Sequence, residues 1–171
     1  IPATPELFDY YAKFGYTPCF RFGWHTVKID ADSKQMRGNG CHPEEYSCHV
    51  SSANFQIDES PLAYLRVRMQ ERAMCVQHPL RALRAVVDVM HLAGDTLWEV
   101  RRGDVLVALA ICRNETDGTL LRECVFDDEV ACHVLIDTIA AHYGRTEVDV
   151  LDTTGLVGDY YIPRIQIYAA E

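Results

Sequence analysis

The residues most typical of a metal site lie close together in one polar stretch. Cys41-His42 and Cys48-His49 provide two thiols and two imidazoles, the ligands with which zinc forms a tetrahedral site. The spacing matches no standard zinc pattern, because a Cys and a His that are adjacent in sequence rarely bind one ion well. We therefore expect a loop with buried or tolerated thiols and no metal, and keep a zinc-dependent module as an alternative.

Charge and composition argue against several classes of partner. The formal net charge of −9 disfavours nucleic acids and anionic membranes, because phosphate binding needs clustered Lys and Arg. No apolar run reaches membrane-spanning length, and no signal peptide is visible. The seven cysteines fall mostly within predicted strands and helices, as buried free thiols do in a reducing cytoplasm. This cysteine usage favours a cytoplasmic protein. Because the chain begins at Ile1 without Met, we expect it to be a piece of a longer protein.

Residues 96–151 carry the clearest structural pattern and are expected to hold the centre of the fold. The almost wholly apolar run 105–112 predicts a strand that is covered on both faces. Asp127-Asp128-Glu129 suit the positive N-terminal end of a helix, which Gly144 ends. The predicted order is three strands, a helix and a strand, over residues 96–101, 105–112, 119–126, 127–143 and 148–151. The apolar face of that helix is predicted to include Val130, Val134, Leu135 and Ile139.

The remaining elements flank a polar connection. A short aromatic helix is predicted over residues 6–14, and a strand or hairpin over residues 19–29. Ser60-Pro61 predicts the start of a helix that runs to Met74. A further helix is predicted over residues 79–92, and its inward side chains are expected to be Leu83, Val86, Val87 and Met90. The polar connection is the best candidate boundary, so we divide the chain into residues 1–30, a linker over 31–59, and a unit over 60–171.

The string from Leu7 to Pro18, LFDYYAKFGYTP, resembles the last helix and following strand of the GNAT acyltransferase superfamily. The resemblance implies that Tyr11 is a general acid, which protonates the departing thiolate of coenzyme A. A phenol suits this role because it stays protonated at neutral pH. Thr4 stands where many members have Asn, so we assign no cofactor contact there. The alternative is that Tyr10 and Tyr11 are packing aromatics.

The order of elements from residue 60 onward also resembles a GNAT domain. The family binds the coenzyme A pyrophosphate on a Gln/Arg-x-x-Gly-x-Gly/Ala turn at a helix N-terminus. At the corresponding junction, this sequence has no glycine, and Asp127, Asp128 and Glu129 stand where a phosphate would lie. Neighbouring carboxylates repel a phosphate by about 4 kcal/mol per like-charge pair in a surface-like dielectric. We therefore expect a degenerate copy whose acids cap the helix.

A literal copy of the family string occurs elsewhere, at Gln35-Met-Arg37-Gly38-Asn39-Gly40. The polar residues before it and the Cys41-His42-Pro43 after it do not supply a strand and an apolar helix. We interpret it as a glycine-rich surface loop, with a phosphate site as the alternative.

Together the two resemblances imply the C-terminal part of a tandem GNAT protein. The expected fold is α/β, a mixed and mostly antiparallel central sheet flanked by helices, preceded by the closing helix and strands of another GNAT domain. The implied activity is transfer of an acetyl group from acetyl-CoA to an unidentified amine of a small molecule or peptide. Most of the acetyltransferase, including the cofactor site and the general base, would precede Ile1; Glu123 and Glu99 are second choices for the base. The alternative is a non-catalytic binding or oligomerisation module, and a homo-oligomer is compatible with both.

Overall fold

The structure is a computed structural model that describes residues 8–14, 16–29, 45–51, 59–71, 78–152 and 160–167. Within these ranges, side chains are described except at residues 8, 11, 16–24, 152 and 160–167. The helices are α1 (Phe8–Ala12), α2 (Glu59–Gln70), α3 (Leu80–Leu92) and α4 (Glu129–Tyr143). The strands are β1 (Tyr16–Lys28), β2 (Tyr46–Val50), β3 (Thr96–Arg102), β4 (Val105–Asn114), β5 (Thr119–Phe126), β6 (Glu147–Asp152) and β7 (Tyr160–Ile167).

The chain divides into two compact units, and the smaller one combines residues 1–25 with residues 151–171. Here β1 pairs with β7 in antiparallel fashion, from Tyr16 opposite Ile167 to Trp24 opposite Tyr160. The segment predicted as a strand or a hairpin is therefore a single long strand. The helix predicted over residues 6–14 is α1, which is shorter because residues 13 and 14 form a turn.

The larger unit, Thr26–Val150, holds a mixed sheet flanked by three helices. Its strand order is β2-β3-β4-β5-β6, followed by the C-terminal end of β1. The pairs from β2 to β5 are antiparallel, whereas β5 and β6 are parallel. The predicted α/β class with a mostly antiparallel sheet is thus confirmed. β2 lies within the stretch that the sequence predicts as a linker, whereas the division into residues 1–30, 31–59 and 60–171 stays a prediction.

The core lies on both faces of this sheet, as the apolar run in β4 predicts. Seven consecutive residues of β4, Leu106 to Cys112, are buried. Ala110 and Cys112 belong to the cluster that packs against α4, and Leu109 and Ile111 belong to the cluster that packs against α2 and α3. Such two-sided burial is typical of a central strand covered by helices.

Local signals set the helix ends. The Asp128 carboxylate is the N-cap of α4 and accepts a 2.8 Å hydrogen bond from the Ala131 backbone N–H. Gly144 ends the same helix with φ 64°, the left-handed conformation that glycine adopts without penalty.

On α3, Leu83 and Val87 are buried as predicted, but Val86 is 37% exposed. The prediction for Val86 is wrong because this side chain lies on the flank of the narrow apolar stripe.

Two further predictions concern helix boundaries and membranes. α2 begins at Glu59, one residue before the predicted N-cap Ser60, and ends at Gln70 rather than at Met74. Residues 72–77 lie outside the described part of the chain. None of the helices described is both long and apolar enough to cross a membrane.

Candidate functional site

The parallel pair β5–β6 is short and leads directly to the start of a helix. The described ladder consists of Leu120 opposite Asp149 and Leu121 opposite Val150, while β5 continues to Phe126. Ligands of open α/β sheets bind in the crevice beyond the carboxyl ends of parallel strands. α4 begins at this edge, so its free N-terminal N–H groups would face such a ligand. The junction between β5 and α4 is therefore the candidate site of the larger unit.

A bulge lies upstream of this junction. Ile111 is opposite Glu123 and Cys112 is opposite Leu121, so Arg122 is an extra residue on β5. A bulge bends its strand and increases the local twist, and bulges are common beside binding sites. Here it directs Arg122 to the buried Asp95, as described below.

The first acid of the junction, Asp127, is held by two side chains of α2. The Tyr64 hydroxyl donates a 2.6 Å hydrogen bond to Asp127 Oδ1, and the Arg68 guanidinium forms an ion pair with the same carboxylate. The Asp127 backbone N–H donates to the Val107 carbonyl at 2.8 Å, and that carbonyl also lies 2.8 Å from the Tyr64 hydroxyl, whose single proton it shares with Asp127. Burial, together with the hydrogen bond to Asp127, raises the pKa of the Tyr64 phenol well above its usual range.

Arg68 forms ion pairs with two carboxylates, those of Glu71 and Asp127. Its Nη1 lies 2.7 Å from Glu71 Oε2, and this hydrogen bond is the main cause of the raised pKa of Arg68. Its Nε is buried and has no partner among the described residues. The guanidinium of Arg68 also lies 5.5 Å from the centre of the Tyr64 ring. Arg68, which lies beside the junction, is therefore already paired within the protein.

The second acid, Asp128, occupies the helix N-terminus directly. Its carboxylate caps α4, and its other oxygen lies 3.7 Å from Arg102 Nη1. The third acid, Glu129, is exposed in the first turn of α4. The expectation that these acids cap the helix is confirmed at Asp128. Because no glycine lies between Arg122 and Cys132, a diphosphate would also lack a bare backbone to approach.

These observations test whether coenzyme A fits the junction. The position that would hold its pyrophosphate carries the protein's own carboxylates, and the positive helix end is satisfied by one of them. The residues present therefore do not fit the pyrophosphate group.

A second charged cluster, which the sequence does not predict, lies on the α2/α3 side of the sheet. Asp95 precedes β3, and its side chain is 1% exposed. Arg113 Nε donates to Asp95 Oδ1 at 2.6 Å, and Arg122 Nη1 donates to Asp95 Oδ2 at 3.0 Å. The side chains of Arg113 and Arg122 are partly exposed, so the cluster consists of one buried carboxylate paired with two arginines that reach solvent. One hint existed in the sequence: Arg113 follows the apolar run of β4, and Arg122 lies in the middle of β5, a mostly apolar strand.

The three sequence-predicted catalytic candidates, Tyr11, Glu99 and Glu123, are each described by their own surroundings. Tyr11 lies in α1, but its side chain is outside the part of the chain that the structure describes, so its role stays a prediction. The neighbouring Tyr10 is 55% exposed, with its ring centre 5.2 Å from that of Phe14. Glu99 is buried and accepts a 2.9 Å bond from Arg101, whereas Glu123 lies on β5 opposite Ile111. Glu99 is thus committed to an ion pair.

Of the four Cys and His residues considered as zinc ligands, the structure describes Cys48 and His49, which lie on opposite faces of β2. Burial raises the pKa of the Cys48 thiol to about 11. The His49 ring is exposed and lies 3.1 Å from the Ser47 hydroxyl. Adjacent strand residues point to opposite faces, so Cys48 and His49 do not converge on one ion. Cys41, His42 and the string from Gln35 to Gly40 lie outside the described residues, and among those described no three His, Cys, Asp or Glu side chains are placed to hold a metal.

Several solved structures share the fold. A conserved protein of Enterococcus faecalis V583, named a probable N-acyltransferase, matches with a TM-score of 0.59 at 13% identity, over 94% of this chain and 42% of that chain. A tandem GNAT protein from the clavulanic acid biosynthesis pathway matches with a TM-score of 0.55 at 10% identity, over 95% of this chain and 58% of that chain. A GCN5-related N-acetyltransferase from Kribbella flavida matches with a TM-score of 0.55 at 14% identity, over 96% of this chain and 40% of that chain.

These likenesses establish a GNAT-like fold, as the sequence predicts. No family model and no curated protein matches the sequence itself. The chain spans about two fifths to three fifths of the length of the three structures named above.

Proposed function

We propose that this chain is part of an acetyl-CoA-dependent N-acyltransferase of the GNAT type. The acceptor is an amine of a small molecule or peptide, and the protein acts in the cytoplasm, alone or as a homo-oligomer. The supporting observation is the fold, shared with solved structures that are named as acetyltransferases, one of them a tandem GNAT protein. This chain covers 58% and 40% of those two structures, which is compatible with a cofactor-binding part outside these 171 residues.

Within this proposal the two predicted parts of the chain have different tasks. Residues 1–30 contribute Tyr11 as the general acid, because LFDYYAKFGYTP resembles the end of a GNAT domain. Residues 60–171 are a degenerate copy that does not bind coenzyme A at the N-terminus of α4. The supporting observation is the occupation of that terminus by Asp128, with Asp127 beside it held by Tyr64.

The same occupation favours a second candidate function for residues 60–171 taken alone. A GNAT-like layout whose anion site is closed by its own acids suits a non-catalytic binding or oligomerisation module. The two candidates differ in whether the protein transfers an acetyl group at all.

Calorimetry with acetyl-CoA tests the proposal. We expect no binding by the 171-residue chain and binding by a version extended through its natural N-terminus. In the extended protein, Tyr11→Phe should lower kcat by about 100-fold, the usual contribution of a general acid, with little change in KM. Tyr10→Phe is the matched control because Tyr10 is adjacent and exposed. Absence of binding and acetyl transfer in the extended protein would leave the module as the function.

A further inference from the structure

A second apolar stripe runs along α3, beside the one that packs on the sheet. Val89 is 65% exposed and Leu92 is 86% exposed. At about 100° per residue, these two side chains lie away from the helix face that holds the buried Leu83 and Val87. Smaller residues extend the stripe, which consists of Ala82, Ala85, Val86, Val89, Leu92 and Ala93. Large apolar side chains that are exposed together at helical spacing indicate a contact surface.

The centre of this stripe has the spacing of a coiled-coil interface. Ala82, Val86, Val89 and Ala93 follow one another at intervals of four, three and four residues, the alternation of positions a and d. Around a straight helix, these four residues fall within about 60° of one another. We call them the α3 seam. A helix that presents such a seam fits lengthwise against a second helix.

The order of side chains along the α3 seam is the same in both directions: Ala, Val, Val, Ala. Two copies of the seam can therefore lie antiparallel about a twofold axis that passes between residues 87 and 88. In that arrangement Ala82 faces Ala93 of the second copy, and Val86 faces Val89 of the second copy. A twofold interface needs one patch that is complementary to itself, and this seam meets that condition.

Charge also favours an antiparallel pair of copies. Arg81 is exposed in the first turn of α3, at the positive end of its own helix dipole, and no acidic residue lies in that turn. In the antiparallel pair, Arg81 is level with Gly94 of the second copy, at the negative C-terminal end of that helix. A parallel pair would instead bring the two Arg81 side chains together. The second copy, turned end for end, thus supplies the dipole end that suits this arginine.

We propose that α3 is a homodimer surface, on which the α3 seams of two copies of this chain pack antiparallel about a twofold axis. Leu92, the most exposed member of the stripe, would lie near the small Ala85 of the second copy. The inference does not depend on acyl transfer, because it uses neither Tyr11 nor any residue of the junction.

The area of the contact sets its expected strength. Covering the six stripe residues on each copy removes about 700 Å² from water in total, at roughly 60 Å² per partly exposed side chain. Stable complexes bury at least about 1,200 Å². The formal net charge of −9 on each copy also opposes association. We therefore expect a reversible dimer with a dissociation constant on the order of 100 µM.

Sedimentation equilibrium of the 171-residue chain in about 0.15 M salt, from about 10 µM to 1 mM, tests the proposal. We expect the average mass to rise with concentration from 19.4 kDa toward twice that value. Val89→Glu should weaken association at least tenfold, and it does not touch the core because Val89 is mostly exposed. Val67→Glu, at an exposed valine of α2, is the matched control and should associate like the wild type.

Two double variants test the orientation. Val86→Glu with Val89→Glu places carboxylates opposite carboxylates and should also weaken association at least tenfold. Val86→Glu with Val89→Lys places each carboxylate opposite an ammonium group only if the copies are antiparallel, and should associate at least tenfold more tightly than the like-charge variant. A chain that stays monomeric at 1 mM, association that survives Val89→Glu or falls as much in Val67→Glu, or equal association of the two double variants would each overturn the proposal.

Discussion

Two aspartates of the larger unit bind arginines, and they differ in what surrounds them. Asp95 is 1% exposed and is shared by Arg113 and Arg122. Asp127 is 28% exposed, pairs with Arg68, and also accepts the Tyr64 hydroxyl. The first lies among core residues, whereas the second lies at the edge where α/β sheets bind ligands. The comparison indicates that Asp95 mainly stabilises the fold, whereas Asp127 occupies the candidate site between β5 and α4.

Asp95→Ala should have the largest effect on stability. Removing the carboxylate leaves two cations without their buried partner, and breaking such a pair costs about 3 kcal/mol after allowance for the partly exposed arginines. Urea unfolding measures the loss. Asp88→Ala, at an exposed position of α3, is the matched control and should change the free energy of unfolding by less than about 0.5 kcal/mol. A cost of Asp95→Ala within that range would remove the distinction between the two aspartates.

Asp127→Ala should have a smaller effect, of about 1.5 kcal/mol. The Tyr64 hydroxyl keeps the Val107 carbonyl as an acceptor, and Arg68 keeps Glu71, so neither partner is left alone. Urea unfolding beside Asp95→Ala tests the order. A larger loss from Asp127→Ala than from Asp95→Ala would assign the structural role to the junction instead.

Tyr64→Phe should cost about 1 kcal/mol at neutral pH, the net value of a hydrogen bond. The cost should shrink as the pH rises above about 10, where the unfolded tyrosine ionises. The pKa of Tyr64 is raised in the folded wild-type protein, so Tyr64 keeps its proton there while the unfolded chain releases it. Release of that proton stabilises the unfolded wild-type chain and not the unfolded Tyr64→Phe chain, so the difference in stability between them shrinks. Urea midpoints of wild type and variant from pH 8 upward measure the difference. A cost that grows with pH would contradict the bonding described, and Tyr10→Phe, on an exposed ring, serves as the control.

Asp128→Ala should have the smallest effect, of about 1 kcal/mol or less, because it removes one N-cap hydrogen bond. Asp128→Asn is the matched variant, since asparagine also caps helices, and it should retain most of the stability. Amide hydrogen exchange in the first turn of α4 would report the loss directly. Equal exchange in the two variants would mean that the side chain does not cap the helix in solution.

The sequence predicts the parts of the fold that depend on neighbouring residues. The apolar run of β4, the acids before α4 and Gly144 after it act within a few residues, and each element is found where predicted. β2 is not predicted because its hydrogen bonds come from β3, about fifty residues later in the chain.

The contacts of the site depend on the fold for the same reason. Tyr64 and Asp127 are 63 residues apart, and Asp95 and Arg122 are 27 residues apart. The carboxylates at the junction were predictable because acidic residues are common in the first turn of a helix. Their partners on α2 were not predictable, because helical periodicity indicates which face of α2 is buried but not which residues of other elements contact that face. The acceptor amine and the role of Tyr11 rest on resemblance and stay predictions.

The most direct test of the closed junction is a titration of the 171-residue chain with acetyl-CoA, followed by amide NMR shifts. We expect that the amides of Asp127 to Cys132 do not shift in a saturable way, because the helix N-terminus is already capped by Asp128 and its neighbour Asp127 is held by Tyr64 and Arg68. Saturable shifts at these amides would show that the junction binds the cofactor, and would contradict the proposal that residues 60–171 are a degenerate copy.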